Sequence, residues 1–132
     1  MNSPSIDVKA MLVADTEVNT DDFFVAVAIE PATPNNTITI YDTGGFPPAL
    51  TYNKEEIYEF PAIQIRVRSV DYTTGWQLIE RIKKSLHGRA GEVWGDSIYT
   101  LIQTAFGPFH LDSDSNQRMR FVINFNLQRK EI

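Results

Sequence analysis

Met119, Phe121, Ile123, Phe125 and Leu127 recur at every second position of the run Arg118-Met119-Arg120-Phe121-Val122-Ile123-Asn124-Phe125-Asn126-Leu127-Gln128. An extended chain points successive side chains to opposite faces, so residues 118–129 read as a strand with one face in a core and the other outside it. The pattern has a twin between Ala62 and Val70, where Ile63, Ile65 and Val67 alternate with Gln64, Arg66 and Arg68. Neither strand can bury its apolar face alone, and a covering layer has to come from elsewhere in the chain.

That layer follows the second strand directly. Leu78, Ile79, Ile82 and Leu86 form a stripe at helical spacing. Thr74 and Gln77 stand at capping-box distance, Glu80 and Lys84 form an i,i+4 pair, and Gly88 supplies the stop. Residues 4–14 read as a shorter helix, with Ser3 as N-cap, Pro4 at the first helical position, and a stripe of Ile6, Ala10 and Val13 widened by Met11 and Leu12. Phe24–Ile29 and Thr37–Asp42 read as strands joined into a hairpin across Pro34-Asn35-Asn36.

Residues 97–106 fit a helix by the spacing of Ile98, Leu101, Ile102 and Ala105. Their β-branched content and the following Gly107-Pro108 favour a strand. That strand is expected to pair with residues 118–129 as a hairpin with a long tip at Asp112–Asn116. Residues 43–61 contain Gly44-Gly45, Pro47-Pro48 and Pro61 beside Tyr52, Tyr58 and Phe60. They are expected to form a long loop or arm, anchored by its aromatics on its own domain or on a neighbour. The expected fold is a single α+β domain over residues 1–132, ordered helix-β-β-β-helix-β-β. Its sheet is mostly antiparallel, or mixed if the segment from Ala62 to Phe106 is a crossover, and it is packed by one amphipathic helix.

Composition narrows the function. With 132 residues, 42% of them hydrophobic, the chain can build a core without staples. Cysteine is absent, which excludes disulfides, thiol nucleophiles and thiolate metal sites. No apolar run reaches the roughly 20 residues of a membrane span. Met1-Asn2-Ser3-Pro4-Ser5 has no basic-then-apolar pattern, so no signal peptide is expected. The net charge of −5 argues against a general nucleic-acid binder. Residues 1–65 hold two basic against ten acidic residues, net −8, while residues 66–132 hold ten against seven, net +3. Folding either intermixes these halves or leaves complementary faces suited to head-to-tail association.

Catalytic patterns are missing. His87 at a helix end suits the helix dipole, and neither it nor His110 has metal-ligand spacing to another histidine. Asp112, Asp114 and Asn116 imitate half of a calcium loop, but Gln117 and Ile123 stand where it needs Gly and Glu. Gly44-Gly45 lacks the Gly-Lys-Ser/Thr of a phosphate cradle, and no Gly-x-Ser-x-Gly elbow occurs. The pairs Glu55/Glu56 and Asp21/Asp22 read as solvated loop residues, and Trp76 as a packing residue. Arg66, Arg68, Arg118 and Arg120 are four of seven arginines, all on the polar faces of two strands. They form a basic stripe if the strands are close, unless each pairs with a local carboxylate.

Three blocks resemble the tail terminator, or minor capsid, proteins of long-tailed bacteriophages. They are Ile40-Tyr41-Asp42-Thr43-Gly44-Gly45 with Pro47-Pro48; Phe60 to Arg68 with Tyr72 and Ser85-Leu86-His87-Gly88; and Gly107 to Asp112 with Arg120 to Phe125. The departure is Ser115-Asn116-Gln117, where the resemblance calls for a glycine in the hairpin tip. It implies a structural virion protein and not an enzyme, with no cofactor. Such a protein forms a ring-shaped homo-oligomer, a hexamer by the family's habit, on the head-proximal end of the tail. Its partners would be the tail tube protein and the head connector or neck protein. No membrane and no specific nucleic acid are implied, although the genome would pass through the ring, and assembly would occur in the host cytoplasm. A neck or head–tail adaptor on the portal side is the alternative, and a small ligand-binding or enzymatic domain the third. Asp42, Gly44 and Gly45 are expected to shape the arm, and Arg66, Arg68 and Arg120 to make ion pairs between subunits.

Overall fold

The computed structural model describes residues 1–50 and 57–132, with only the backbone of 49, 50 and 57. The twin alternating runs become adjacent antiparallel strands, β3 (Ile57–Ser69) and β6 (Met119–Glu131), in register from Ala62↔Asn126 to Ser69↔Met119. Around them the sheet is ordered β1-β2-β3-β6-β5-β4, with β1 (Phe24–Val27), β2 (Thr37–Leu50), β4 (Glu92–Trp94) and β5 (Ser97–Ser113). Its inner face carries Ile38, Ile40, Ile63, Ile65, Val67, Phe121, Ile123 and Phe125, all fully buried. Helices α1 (Pro4–Ala14) and α2 (Tyr72–Leu86) pack into the same core through Val8, Met11 and Leu12 and through Leu78, Ile79, Ile82 and Leu86. The class is α+β, and the sheet is mixed. Gly75 lets α2 approach closely, because a Cβ there would lie 2.7 Å from the Phe121 ring, while Trp76 packs edge-on to that ring, 6.0 Å between centroids.

Several local expectations need correction. β1 and β2 are not a hairpin but a parallel pair, Phe24↔Thr37 to Val27↔Ile40. The chain turns at Ala28, at a φ of 72°, and residues 28–36 run back along β1 before β2 begins. Parallel pairing usually takes a dozen or more linking residues, and a four-residue strand keeps the return short enough for nine. Residues 43–50 and 57–61 are not loop but strand, extending β2 and β3 into a long hairpin. The glycines and prolines fall where the register shifts, between Thr43 and Phe46 and between Phe46 and Ala49. Bulges tolerate such residues because the ladder is already interrupted there. Tyr52 and Glu55/Glu56 lie outside the described residues.

The helix signals are shifted in the same local way. α1 buries Ser5, Asp7, Val8, Met11 and Leu12 and exposes Ile6 and Val13, so the apolar stripe read from sequence misplaces its inner face. α2 is capped not by Thr74 but by Asp71, whose carboxylate accepts from Thr74 N–H at 2.8 Å and Thr74 O–H at 2.6 Å. Glu80 pairs with Lys83, at 3.3 Å, in place of Lys84. β5 continues to Ser113, so its hairpin with β6 has a short tip, and Gln117 takes the left-handed conformation there, φ 61°, in the stretch where glycine was expected.

Gly45 and Gly44 differ sharply. A Cβ at Gly45 would collide with the Phe60 carbonyl and lie 2.8 Å from Pro61 Cα, whereas at Gly44 nothing lies within 4 Å. Gly45→Ala should therefore cost about 1–3 kcal/mol by forcing backbone apart, and Gly44→Ala no more than about 0.5. Urea unfolding, with hydrogen exchange over residues 41–48, checks the contrast; equal effects would show that the close approach is not what matters.

Candidate subunit interface

Arg68 and Arg120 are directly opposed across β3 and β6, on the face away from the helices. Two guanidiniums side by side repel unless an anion separates them. Glu30, from the segment between β1 and β2, does so at 3.1 Å from Arg68 and 2.8 Å from Arg120. Arg68 also donates to the carbonyls of Pro34, at 2.7 Å, and Asn35, at 3.0 Å. Arg118 donates to the Ala32 carbonyl at 2.7 Å and pairs with Asp114, also at 2.7 Å. Arg120 reaches Asp112 at 3.3 Å. Three of the four stripe arginines therefore hold residues 28–36 as a strap over the end of the sheet.

Electrostatics follow from that packing. Burial pushes the Glu30 carboxyl up, but the bonds and charges of Arg120 and Arg68 outweigh it and hold the group below its ordinary range. Glu30 in turn raises the Arg120 guanidinium. Arg68 is 1% exposed. Beneath the strap the hydroxyls of Thr37 and Thr39 are buried without partners.

A second polar cluster pins α1. The Asp42 carboxylate accepts from Ser5 N–H at 2.9 Å and Ser5 O–H at 2.6 Å. Tyr99 O–H donates to Asp7 at 2.5 Å, and Arg129 donates to Tyr99 Oη, the Asn2 carbonyl and Glu59. Burial first, then the bond to Asp7, drives the Tyr99 phenol well above its ordinary value. Ser5, Asp7 and Arg129 were not singled out in the sequence, because polar residues in a helical turn or near a strand end normally face water. Only the strand alternation that places Arg129 on the Phe121–Leu127 face hints at its burial.

Arg66 is different. Its guanidinium lies over the Tyr41 ring, 5.1 Å from the centroid, and donates to Gln64 at 2.9 Å, with no carboxylate partner among the described residues. Gln64, Asn124, Asn126 and Gln128 share its face, and a small groove lined by Phe46, Phe60, Leu101, Gln103 and Asn126 adjoins them. The acidic and basic halves of the sequence intermix. Glu30 meets Arg68 and Arg120, Asp15 meets Arg89, and Asp7 and Glu59 meet Arg129. Among the described residues no three His, Asp or Glu side chains gather as a metal site, and no helix is long and apolar enough to cross a membrane.

The family model described as bacteriophage tail terminator protein matches residues 10–131. Among solved structures, a chain from the virion of a native gene transfer agent particle has the same fold, with a TM-score of 0.67 at 15% identity over 97% of this chain and 95% of that one. No curated protein sequence matches.

Removing the Glu30 charge should release the strap. Glu30→Gln is expected to cost about 2–3 kcal/mol, the scale of hydrogen bonds to charged groups, since it leaves Arg68 buried without its anion. A carboxyl whose folded pKa is depressed binds fewer protons folded than unfolded. Its contribution is thus complete above its unfolded value, 4.5, and is lost as pH falls through the folded one. The variant's deficit at pH 7 should shrink progressively below pH 4.5; urea midpoints across pH 2–7 that run parallel for both proteins would refute the assignment.

Proposed function

The chain belongs to the bacteriophage tail terminator protein family, structural proteins of the virion, and from that premise we propose that it caps the head-proximal end of the tail tube as a ring. In that position it ends tube polymerisation and offers the docking surface for the head connector. The match over residues 10–131 carries the reading, and the sheet supports it physically. A closed ring needs a heterologous interface, in which one patch meets a different patch on the next copy.

The two sides of the sheet supply different patches. β1 pairs with β2 only as far as Ile40. β4 and the turn at 87–89 cover β5 only as far as Thr104. The remaining edges, from Tyr41 on one side and Ala105 on the other, are open to strand addition among the described residues. Each strand in the series β2, β3, β6, β5 is antiparallel to the next. The open stretches lie at opposite ends of the sheet, since Tyr41 stands level with Gln64, Asn124 and Phe106, so an antiparallel β5–β2 contact needs the next copy staggered along the strands as well as rotated. With Arg68 and Arg120 committed to the strap, Arg66 is the stripe arginine available to a neighbour. The nearly chargeless amide face beside it would let a genome slide past without sticking.

Two measurements test this. Light scattering across concentration should find six copies of the 15.0 kDa chain, about 90 kDa, alone or on added tube protein. Arg66→Glu should weaken that assembly without shifting the melting temperature by more than about 2 °C. Loss of the gene should give overlong tails. Tails of normal length detached from heads would overturn the capping role and assign the chain to the portal side as an adaptor.

A further inference from the structure

An open pocket of about 490 Å³ lies where the end of α2 meets β5, lined by Lys83, Lys84, His87, Thr104 and Gly107. Local backbone geometry shapes it. β5 shifts register between Thr104 and Phe106 and again between Phe106 and Phe109, with Gly107 at a φ of 91°. Bulges of this kind bend a strand and re-aim its side chains, and they concentrate beside functional sites.

The donors are arranged for an acceptor that the described residues do not provide. His87 caps α2, and its Nδ1 accepts the Thr104 N–H at 2.9 Å. With Nδ1 an acceptor, the ring proton belongs on Nε2, which is then a donor. Thr104 Oγ1 is buried with no hydrogen-bond partner. Lys84 has no carboxylate partner among the described residues, and Lys83 reaches Glu80 at 3.3 Å. None of the lining residues is acidic. The carbonyls at a helix C-terminus would repel an anion, and two lysines in the last turn reverse that field.

We propose that this pocket is an oxyanion site that takes a phosphate group, held by the Lys84 ammonium and the His87 Nε2–H with Lys83 beside them. The Thr104 hydroxyl is closed off from the pocket, and Thr104 acts through its N–H, which fixes the imidazole so that Nε2–H is the donor. Gly107 of the pocket lining also belongs to the β5 edge offered for strand addition, so the titration is made at a concentration where light scattering finds a monomer, and its outcome is then read apart from the ring.

The test is a titration of the isotope-labelled full chain with inorganic phosphate at pH 7, against sodium chloride of equal ionic strength, following the Thr104 amide and the His87 ring by NMR. Saturable shifts at both, with affinity lowered roughly tenfold in Lys84→Gln as expected for loss of a charge-assisted bond, would support the site. Lys84 lies on the helix surface, and unchanged spectra elsewhere would show that the variant is folded. A short DNA duplex that saturates the same resonances at lower concentration, and loses affinity as salt rises, would identify backbone phosphate as the source. Saturation by inorganic phosphate alone would identify the free anion. Shifts that do not saturate, that fall elsewhere, or that persist unchanged in Lys84→Gln would overturn the proposal.

Discussion

Arg68 and Arg120 face each other on neighbouring strands, and the carboxylate of Glu30 between them turns a repulsion into a clamp. Much of one end of the molecule follows from this contact. Because Glu30 is held, residues 28–36 lie across the sheet and do not turn back as a hairpin. Because they lie there, β1 enters parallel to β2. Arg68 and Arg118 also donate to the carbonyls of Ala32, Pro34 and Asn35, which fastens the strap along its length. One charge cluster thus neutralises itself, fastens the strap segment and sets the direction of a strand.

The other end is organised around α1 by a similar device with different chemistry. Ser5 and Asp7 are buried on the face of α1 that also carries Val8, Met11 and Leu12, and their partners come from β2, β5 and β6. Asp42 holds Ser5, Tyr99 and Arg129 hold Asp7, and Glu59 of β3 closes the set. These contacts sit at the root of the long β2–β3 hairpin, so the helix braces the segment that extends from the sheet. Buried polar networks of this sort depend on every member being satisfied, which ties the placement of α1 to the strand pairing.

Both long strands were legible because alternation is a local property: Ile63, Ile65 and Val67, and Phe121, Ile123 and Phe125, can face only one way together. The amphipathic stripe of α2 was legible for the same reason. The stripe of α1 was misread because Ile6 and Val13 are apolar yet outward, while Ser5 and Asp7 are polar yet inward. Gly44-Gly45 and Pro47-Pro48 signalled interruption correctly but not its form, since a bulge within a strand and a loop share the same residues. The arginine stripe was visible as a stripe. Its partners were not, because Glu30 lies 38 and 90 positions from the arginines it joins.

The sequence by itself determined the α+β class, the order of the long elements and the family resemblance, since these rest on periodicities and motifs that a chain carries wherever it goes. Only the tertiary structure decided which charges would meet. An arginine on a strand face looks the same whether its carboxylate comes from its own chain or from a neighbour, and the choice depends on where a distant loop comes to rest. Three of the four stripe arginines found carboxylates within the chain, Arg68 and Arg120 because folding brought Glu30 of the acidic front half over them, and Arg118 because Asp114 lies in its own turn. Arg66 on the open face and Lys84 beside His87, which have no carboxylate partner among the described residues, could be recognised only after that pairing was known.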